Sequence, residues 1–308
     1  MILNSIFSGS PRSQAVPLEC LSDSHRITQG SIAVYRRFYG LDAITLCDDD
    51  LFHMLSAVLT RALETVPNAS ESDGQLIYCK TQTHNTFSDD GWLRSLADKH
   101  GLSRWETFSW AMTNCASAIV AMHFLEHSST YAPVILITGE KAFHPSVSAL
   151  SVGLLSEIPA ASVLNVRADG WRVLATHVQH LGGFYENPDQ IKTVERRRLQ
   201  EIYADAFRTF IDNSLTRYRP MLRGNAVLVP HNLNLPVTKA VIRQLGWEDR
   251  MRYGDVAHLG HAYCSDLFLN LDRLTALEGT ALPEQVILVA AGTGVTFASC
   301  MLERERVS

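Results

Sequence analysis

The chain has 308 residues, 46% of them apolar and 19% charged, a profile that excludes a disordered protein. With 27 basic and 32 acidic residues the net charge is −5, which argues against a nucleic-acid groove as the main surface. No apolar run approaches the roughly 18 residues needed to span a bilayer, and Met1-Ile2-Leu3-Asn4-Ser5 lacks the pattern of a signal peptide. A cytoplasmic protein without a membrane partner is expected.

Strand-like and helix-like segments alternate along the chain. Asp48-Asp49-Asp50 precedes apolar residues at helical spacing from Leu51 to Val66, which predicts a helix with an acidic cap. Gln75 to Thr83 predicts a strand. Cys115 to Leu125 is apolar almost all round, which predicts a buried helix. Ala132 to Gly139 is a short apolar run bounded by turn residues, the pattern of a buried strand. Residues 151–224 read as a connection, with Gly182-Gly183 as a loop. Within it, Val194 to Tyr218 predicts a long amphipathic helix whose Arg196, Arg197 and Arg198 form a solvated face. Asn225 to Asn232 predicts a third strand, Leu235 to Leu245 and Ser265 to Leu277 predict helices, and Gln285 to Gly292 predicts a fourth strand. Strand, helix, strand occurs twice, which suggests an internally duplicated α/β fold with buried central strands.

The six cysteines contain no C-x-x-C pair and read as free thiols of a reducing compartment. Cys115, in Thr113-Asn114-Cys115-Ala116-Ser117-Ala118, sits where polar sequence gives way to a buried helix. A helix N-terminus favours thiolate and offers backbone N–H groups to an oxyanion. A buried structural cysteine is the competing reading. Cys79 lies inside a strand and Cys300 near the last one, whereas Cys264 sits close to His261.

Four motifs in order resemble the ketoacyl-acyl-carrier-protein synthase III family of the thiolase superfamily. Asn114-Cys115-Ala116-Ser117-Ala118 is similar to its nucleophile motif. Val229-Pro230-His231-Asn232-Leu233-Asn234 is similar to its His-Gln-Ala-Asn strand end. Gly260-His261-Ala262-Tyr263-Cys264-Ser265-Asp266 falls where the family carries Gly-Asn-Thr-Ser. Gly292-Thr293-Gly294-Val295 resembles its C-terminal Gly-rich loop. The resemblance implies a five-layered αβαβα thiolase fold of two similar halves. Residues 1–165 would carry the nucleophile, and residues 166–308 the histidines and the Gly-rich loop. It also implies a homodimer that takes acyl groups from acyl-CoA or an acyl carrier protein. Coenzyme A or phosphopantetheine would enter as substrate carrier, with no resident cofactor.

The departures shape the expected chemistry. The family's Asn position falls on His261, which can donate a hydrogen bond but adds a titratable base. Asp255 offers an alternative register, ranked lower. Asp266 is either a helix N-terminal acid or the partner that orients His261 as in Cys-His-Asp acyl transfer, two readings of equal weight. Leu235-Pro236 stands where the family often has an Arg, with Lys239 further along. Leu155-Ser156-Glu157-Ile158-Pro159-Ala160 replaces a Gly-Asp-Gly segment. Both favour a specialised pathway over standard fatty-acid synthesis.

The resemblance thus implies an acyltransferase in which Cys115 is acylated and His261, supported by Asp266, is general base for a small-molecule O, N or S acceptor. His231 would assist the thiolate or hold the thioester carbonyl. Backbone N–H groups of Cys115 and Thr293 would form the oxyanion hole, and Asn234, Gly292, Gly294 and His144 would line the substrate site. A decarboxylative condensing enzyme is the alternative, and a non-catalytic partner subunit the second. No metal is expected: His123 and His127 have a ligand spacing, but no third ligand is evident nearby.

Overall fold

The computed structural model describes all residues except 82–90, 129–131, 143, 185–191, 279–281, 293–294 and 306–308. The strands, in chain order, are β1 Ile2–Ser8, β2 Ser13–Pro17, β3 Ala43–Cys47, β4 Gly74–Cys79, β5 Trp105–Trp110, β6 Val134–Thr138, β7 Ala149–Leu150, β8 Gly153–Leu154, β9 Ala160–Leu164, β10 Gly170–His180, β11 Val227–Pro230, β12 Gln285–Gly292 and β13 Thr296–Glu305. The α-helices are α1 Gln29–Val34, α2 Leu51–Leu63, α3 Trp92–Lys99, α4 Ser117–His127, α5 Thr193–Tyr218, α6 Leu235–Gln244, α7 Val256–Leu259 and α8 Asp266–Glu278.

Nine strands form one mixed sheet in the order β11-β12-β13-β10-β1-β9-β6-β4-β5. Side chains alternate between its faces with period two, and both faces are apolar. In the arm from the first half of the chain, Ile77 and Leu136 face one core while Leu76, Tyr78, Ile135 and Ile137 face another. In the second arm Val229, Leu288 and Cys300 face the first core, while Leu228, Ile287 and Met301 face a third. Burial on both faces turns the sequence of these strands into continuous apolar runs instead of an alternation.

The three cores set five layers. α2 and α3 cover the outside of the first arm, and α5 and α6 the outside of the second. Between the arms lie α4 and α8, packed in a core that both arms share. α4 therefore has apolar side chains in nearly every direction, from Ala118 to Met122 and Leu125. This is the αβαβα thiolase fold.

The expected connection differs from expectation: residues 151–224 hold β9 and β10, which complete the centre of the sheet. The arms join where β1 pairs antiparallel with β10, Leu3 opposite Trp171. Gly182 and Gly183 lie in a 3-10 turn. Asp50 caps α2 as expected, accepting from the His53 N–H at 2.8 Å. Among the described residues no helix is long and apolar enough to cross a membrane.

Candidate active site

Cys115 sits in a 3-10 turn, Asn114–Ala116, that leads into α4. The chain reaches it through two left-handed residues, Met112 and Asn114, with φ of 67° and 50°. Asn tolerates that region better than most residues. Gly292, the last residue of β12, lies against this turn. A Cβ there would stand 2.2 Å from the Thr113 carbonyl oxygen, so only glycine fits. Thr113 and Ser117 hydroxyls bond at 2.9 Å, and Ser117 donates to the Lys80 carbonyl at 3.0 Å. The turn that carries Cys115 is thus clamped between β12 and the end of β4.

His261 enters from the opposite side. Gly260 before it has φ of 59°, and a Cβ there would stand 2.9 Å from the Leu154 carbonyl oxygen. The His261 N–H donates to that same oxygen at 2.9 Å, and its carbonyl accepts from Ser156 N–H at 2.8 Å. Its Nδ1 bonds the Asp266 carboxylate, and its Nε2 lies 3.1 Å from the Cys115 sulfur. A carboxylate only accepts here, so the Nδ1 carries a proton. Asp266 is also the first residue of α8 and accepts from the backbone N–H of Ala262 at 2.7 Å and of Asn232 at 2.6 Å. Helix N-terminal acid and histidine partner are therefore one and the same carboxylate.

His231, at the end of β11, completes the cluster. Its ring is 5.6 Å from that of His261, edge to face. Its Nδ1 accepts from the Ala291 N–H at 3.4 Å, which leaves the proton on Nε2. That Nε2 is buried and has no partner among the described residues. A buried N–H without a partner can donate to an oxygen of a bound molecule.

The two histidines are driven apart electrostatically. Burial would lower the pKa of His261, but the Asp266 charge, with a contribution from Cys115, overrides it and pushes it up to about 10. Burial lowers that of His231 to about 3, helped by the charge on His261 and opposed by Asp266. One imidazole is thus held charged and the other neutral at pH 7, the division of labour that acid–base sites use. A protonated His261 beside the sulfur is the partner of a thiolate nucleophile.

Further residues surround the sulfur and Asp266, and Thr81 and Asn270 among them lie outside every quoted motif. The Thr81 hydroxyl, just past β4, donates to the Cys115 sulfur at 3.5 Å and lies 3.6 Å from that of Cys264. Cys264 donates to the Asn114 carbonyl at 3.3 Å, and burial, with the buried Glu140, raises its pKa well above the usual thiol range. It stays a thiol. Asn232 and Asn270 brace the Asp266 region, with Asn270 Nδ2 donating to the Asn232 Oδ1 at 2.9 Å and to the Pro230 carbonyl at 2.8 Å. Position at the end of a predicted strand was the one sequence clue to Thr81.

Cys115, His231, His261, Asp266 and Gly292 are brought together as expected. Asp255 is not. It pairs with His258 at 2.7 Å and Arg273 at 3.2 Å, on the wall of a surface cleft. His144, expected beside the pocket, is exposed and accepts from the Ser146 N–H through Nδ1, capping its own 3-10 turn. Asn234 is a left-handed residue that starts α6 and is partly buried. Thr293 and Gly294 lie outside the described residues. The cleft has a volume of about 770 Å3, and Arg37, Lys239, Arg243, Arg273, Tyr253 and Gly254 are among its lining residues. A Cβ on Gly254 would collide with the Asn270 side chain that supports Asn232.

Residues 225–304 match the family model for the C-terminal part of 3-oxoacyl-[acyl-carrier-protein] synthase III. No curated protein sequence matches. Solved structures match over nearly the whole chain. ChlB3, an acyltransferase, superposes with a TM-score of 0.77 at 14% identity, covering 98% of this chain and 97% of that one. The 3-oxoacyl-[acyl-carrier-protein] synthase III of Aquifex aeolicus gives 0.76 at 14%, covering 98% and 99%. A variant of OleA from Xanthomonas campestris gives 0.75 at 15%, covering 98% of each chain. At such identities the structural likeness speaks for the fold. The chain therefore has the fold of these proteins, and its residues 225–304 are similar to the C-terminal part of 3-oxoacyl-[acyl-carrier-protein] synthase III.

Proposed function

We propose that the protein is an acyltransferase that loads an acyl group from a CoA or acyl-carrier thioester onto Cys115 and passes it to an O, N or S acceptor. The observation that carries this reading is the line from Asp266 through His261 to the Cys115 sulfur, with Nε2 3.1 Å from Sγ. In the first step the Cys115 thiolate attacks the thioester carbonyl. The Nε2–H of His231 and the backbone N–H of Cys115 receive the oxyanion. The carrier thiolate leaves and takes the proton from His261. In the second step neutral His261 removes the acceptor's proton through Nε2 as the acceptor attacks the acyl-enzyme. The thiolate of Cys115 departs and is again paired with a charged His261, so protons balance over the cycle.

The basic cleft suits the carrier. Lys239, packed 4.3 Å over the Tyr253 ring, and Arg37 face phosphates of coenzyme A or an acidic carrier protein. The edge strand β5, with Trp110 against a half-exposed Phe124 and with Met112 76% exposed, suits a second copy of the chain in a homodimer. The two arms correspond to halves 1–165 and 166–308. The His261–Asp266 pair, standing where the resembled family carries Asn, supports a role in a specialised biosynthetic pathway.

A decarboxylative condensation is the second reading, favoured by the unpaired Nε2–H of His231 beside His261, two imidazoles that could hold an enolate oxygen. Intact-mass measurement against a panel of acyl-CoA and acyl-carrier donors tests the first step. An adduct on Cys115 is expected, and acceptor turnover without carbon dioxide release selects transfer over condensation. Absence of any adduct, with full activity in Cys115→Ala, overturns the proposal.

A further inference from the structure

The helix that begins beside the nucleophile ends in a second cluster of ligating side chains. His123, Glu126 and His127 lie three and four residues apart on α4 and so share one face. One ligand atom from each lies within 4.8 Å of the others, and the imidazole centroids are 4.4 Å apart. Glu126 is the third candidate that the His-to-His spacing alone passes over.

The hydrogen bonds fix both tautomers. The Thr176 hydroxyl, on β10, donates to the Glu126 carboxylate. Its oxygen therefore accepts from His123 Nδ1–H, at 2.6 Å. The Nδ1 of His127 lies 2.8 Å from the His123 carbonyl, which can only accept. Each ring thus carries its proton on Nδ1 and its lone pair on Nε2. Histidines that ligate metals are oriented in this way, by donating the other ring N–H to a carbonyl or hydroxyl.

We propose that His123, Glu126 and His127, oriented by Thr176, bind a divalent cation of the zinc class. Two imidazoles and a carboxylate suit zinc, cobalt or nickel and not magnesium or calcium, which take oxygen ligands. Zinc–nitrogen bonds of about 2.0–2.1 Å require ligand atoms roughly 3.3 Å apart, so the exposed His127 rotates inward on binding, and water takes the fourth position. The Arg217 charge acts on His123 and opposes a cation. The Glu126 carboxylate offsets it. The cluster lies about two helical turns beyond Cys115 and is independent of acyl transfer.

Titration of the metal-free full chain with Co2+, followed by visible and near-ultraviolet absorption, tests this. One Co2+ per chain is expected, without the thiolate charge-transfer band that Cys115 or Cys264 would produce. His127→Ala should weaken binding at least tenfold, and Thr176→Val, which keeps all three ligands, should weaken it about 10–100-fold. Acylation of Cys115 should remain in both variants, which shows that they fold. The proposal is overturned by a thiolate band with full stoichiometry, by binding unchanged in His127→Ala, or by no binding at millimolar Co2+.

Discussion

His261 and Asp266 are five residues apart and meet through Nδ1 and a carboxylate oxygen because a 3-10 turn, Tyr263–Ser265, folds the intervening chain back at the start of α8. The turn needs Tyr263 in the left-handed region, with φ of 53°. The pairing leaves Nε2 as the only ring atom that can address Cys115.

Asp266→Asn should lower the rate of transfer from the acyl-enzyme about 10²–10⁴-fold, the range for loss of general acid–base assistance. The amide no longer stabilises a charged His261, and its pKa moves down from about 10. Single-turnover kinetics across pH check this. An unchanged pH profile would refute the role of Asp266.

His261→Asn restores the residue type that resembles the family's condensing members. The amide can donate a hydrogen bond but cannot take a proton from an acceptor. Transfer to the acceptor should fall at least about 100-fold, while acylation of Cys115 persists at a reduced rate. Mass spectrometry of the trapped acyl-enzyme, with carbon dioxide measured from a malonyl thioester, separates the two steps.

Stability against pH should show a maximum near pH 6.5. His231, whose pKa is lowered from 6.5 to about 3, takes up its proton only on unfolding between those values, so stability is lost as pH falls from 6.5 towards 3. His261, raised from 6.5 to about 10, holds its proton in the fold, so stability is present below 6.5 and is lost as pH rises towards 10. Urea unfolding from pH 4 to 10 checks both limbs. His231→Gln should flatten the acid limb and Asp266→Asn the alkaline one.

Gly292→Ala should cost about 1–3 kcal/mol in stability, the usual penalty of overpacking, because its Cβ meets the Thr113 carbonyl at 2.2 Å. Acylation should slow as well, since the Thr113-Asn114 turn carries Cys115. Thermal unfolding and adduct formation rates measure the two effects together.

Thr81→Val removes the hydroxyl that donates to the Cys115 sulfur at 3.5 Å. A net hydrogen bond of about 1 kcal/mol predicts a change of roughly fivefold in acylation rate. Cys264→Ala should leave the adduct on Cys115 in place, and peptide mapping of the acylated protein would show it.

The sequence made legible those elements whose burial is complete. β6 and β12 are apolar on both faces and stand out between turn residues, and α4 is apolar all round. β9, Ala160–Leu164, is built of small residues, and β10 interleaves His, Thr and Gln with its apolar side chains. Both read as part of a connection in the sequence, although they form the middle of the sheet. At the site, Cys115, His231, His261 and Asp266 stand out in the sequence by their chemistry and their order. The tautomer of His231 was not legible, because it is set by the Ala291 backbone N–H. Nor was the hold of Asn232 N–H on Asp266 across 34 residues. His144 resembled a pocket residue by position, yet a local bond to Ser146 turns it outward.

The central helices α4 and α8 touch both arms of the sheet, whereas each outer helix touches one. A substitution in α4 must therefore suit two facing surfaces at once, and a compensating change in either arm repairs only half the misfit. Mutational tolerance should be lowest along this helix and rise outward through the layers. For the proposed acyl transfer, a new carrier is then most readily accommodated by changing the loops around the cleft, while the helix that presents the sulfur stays as it is.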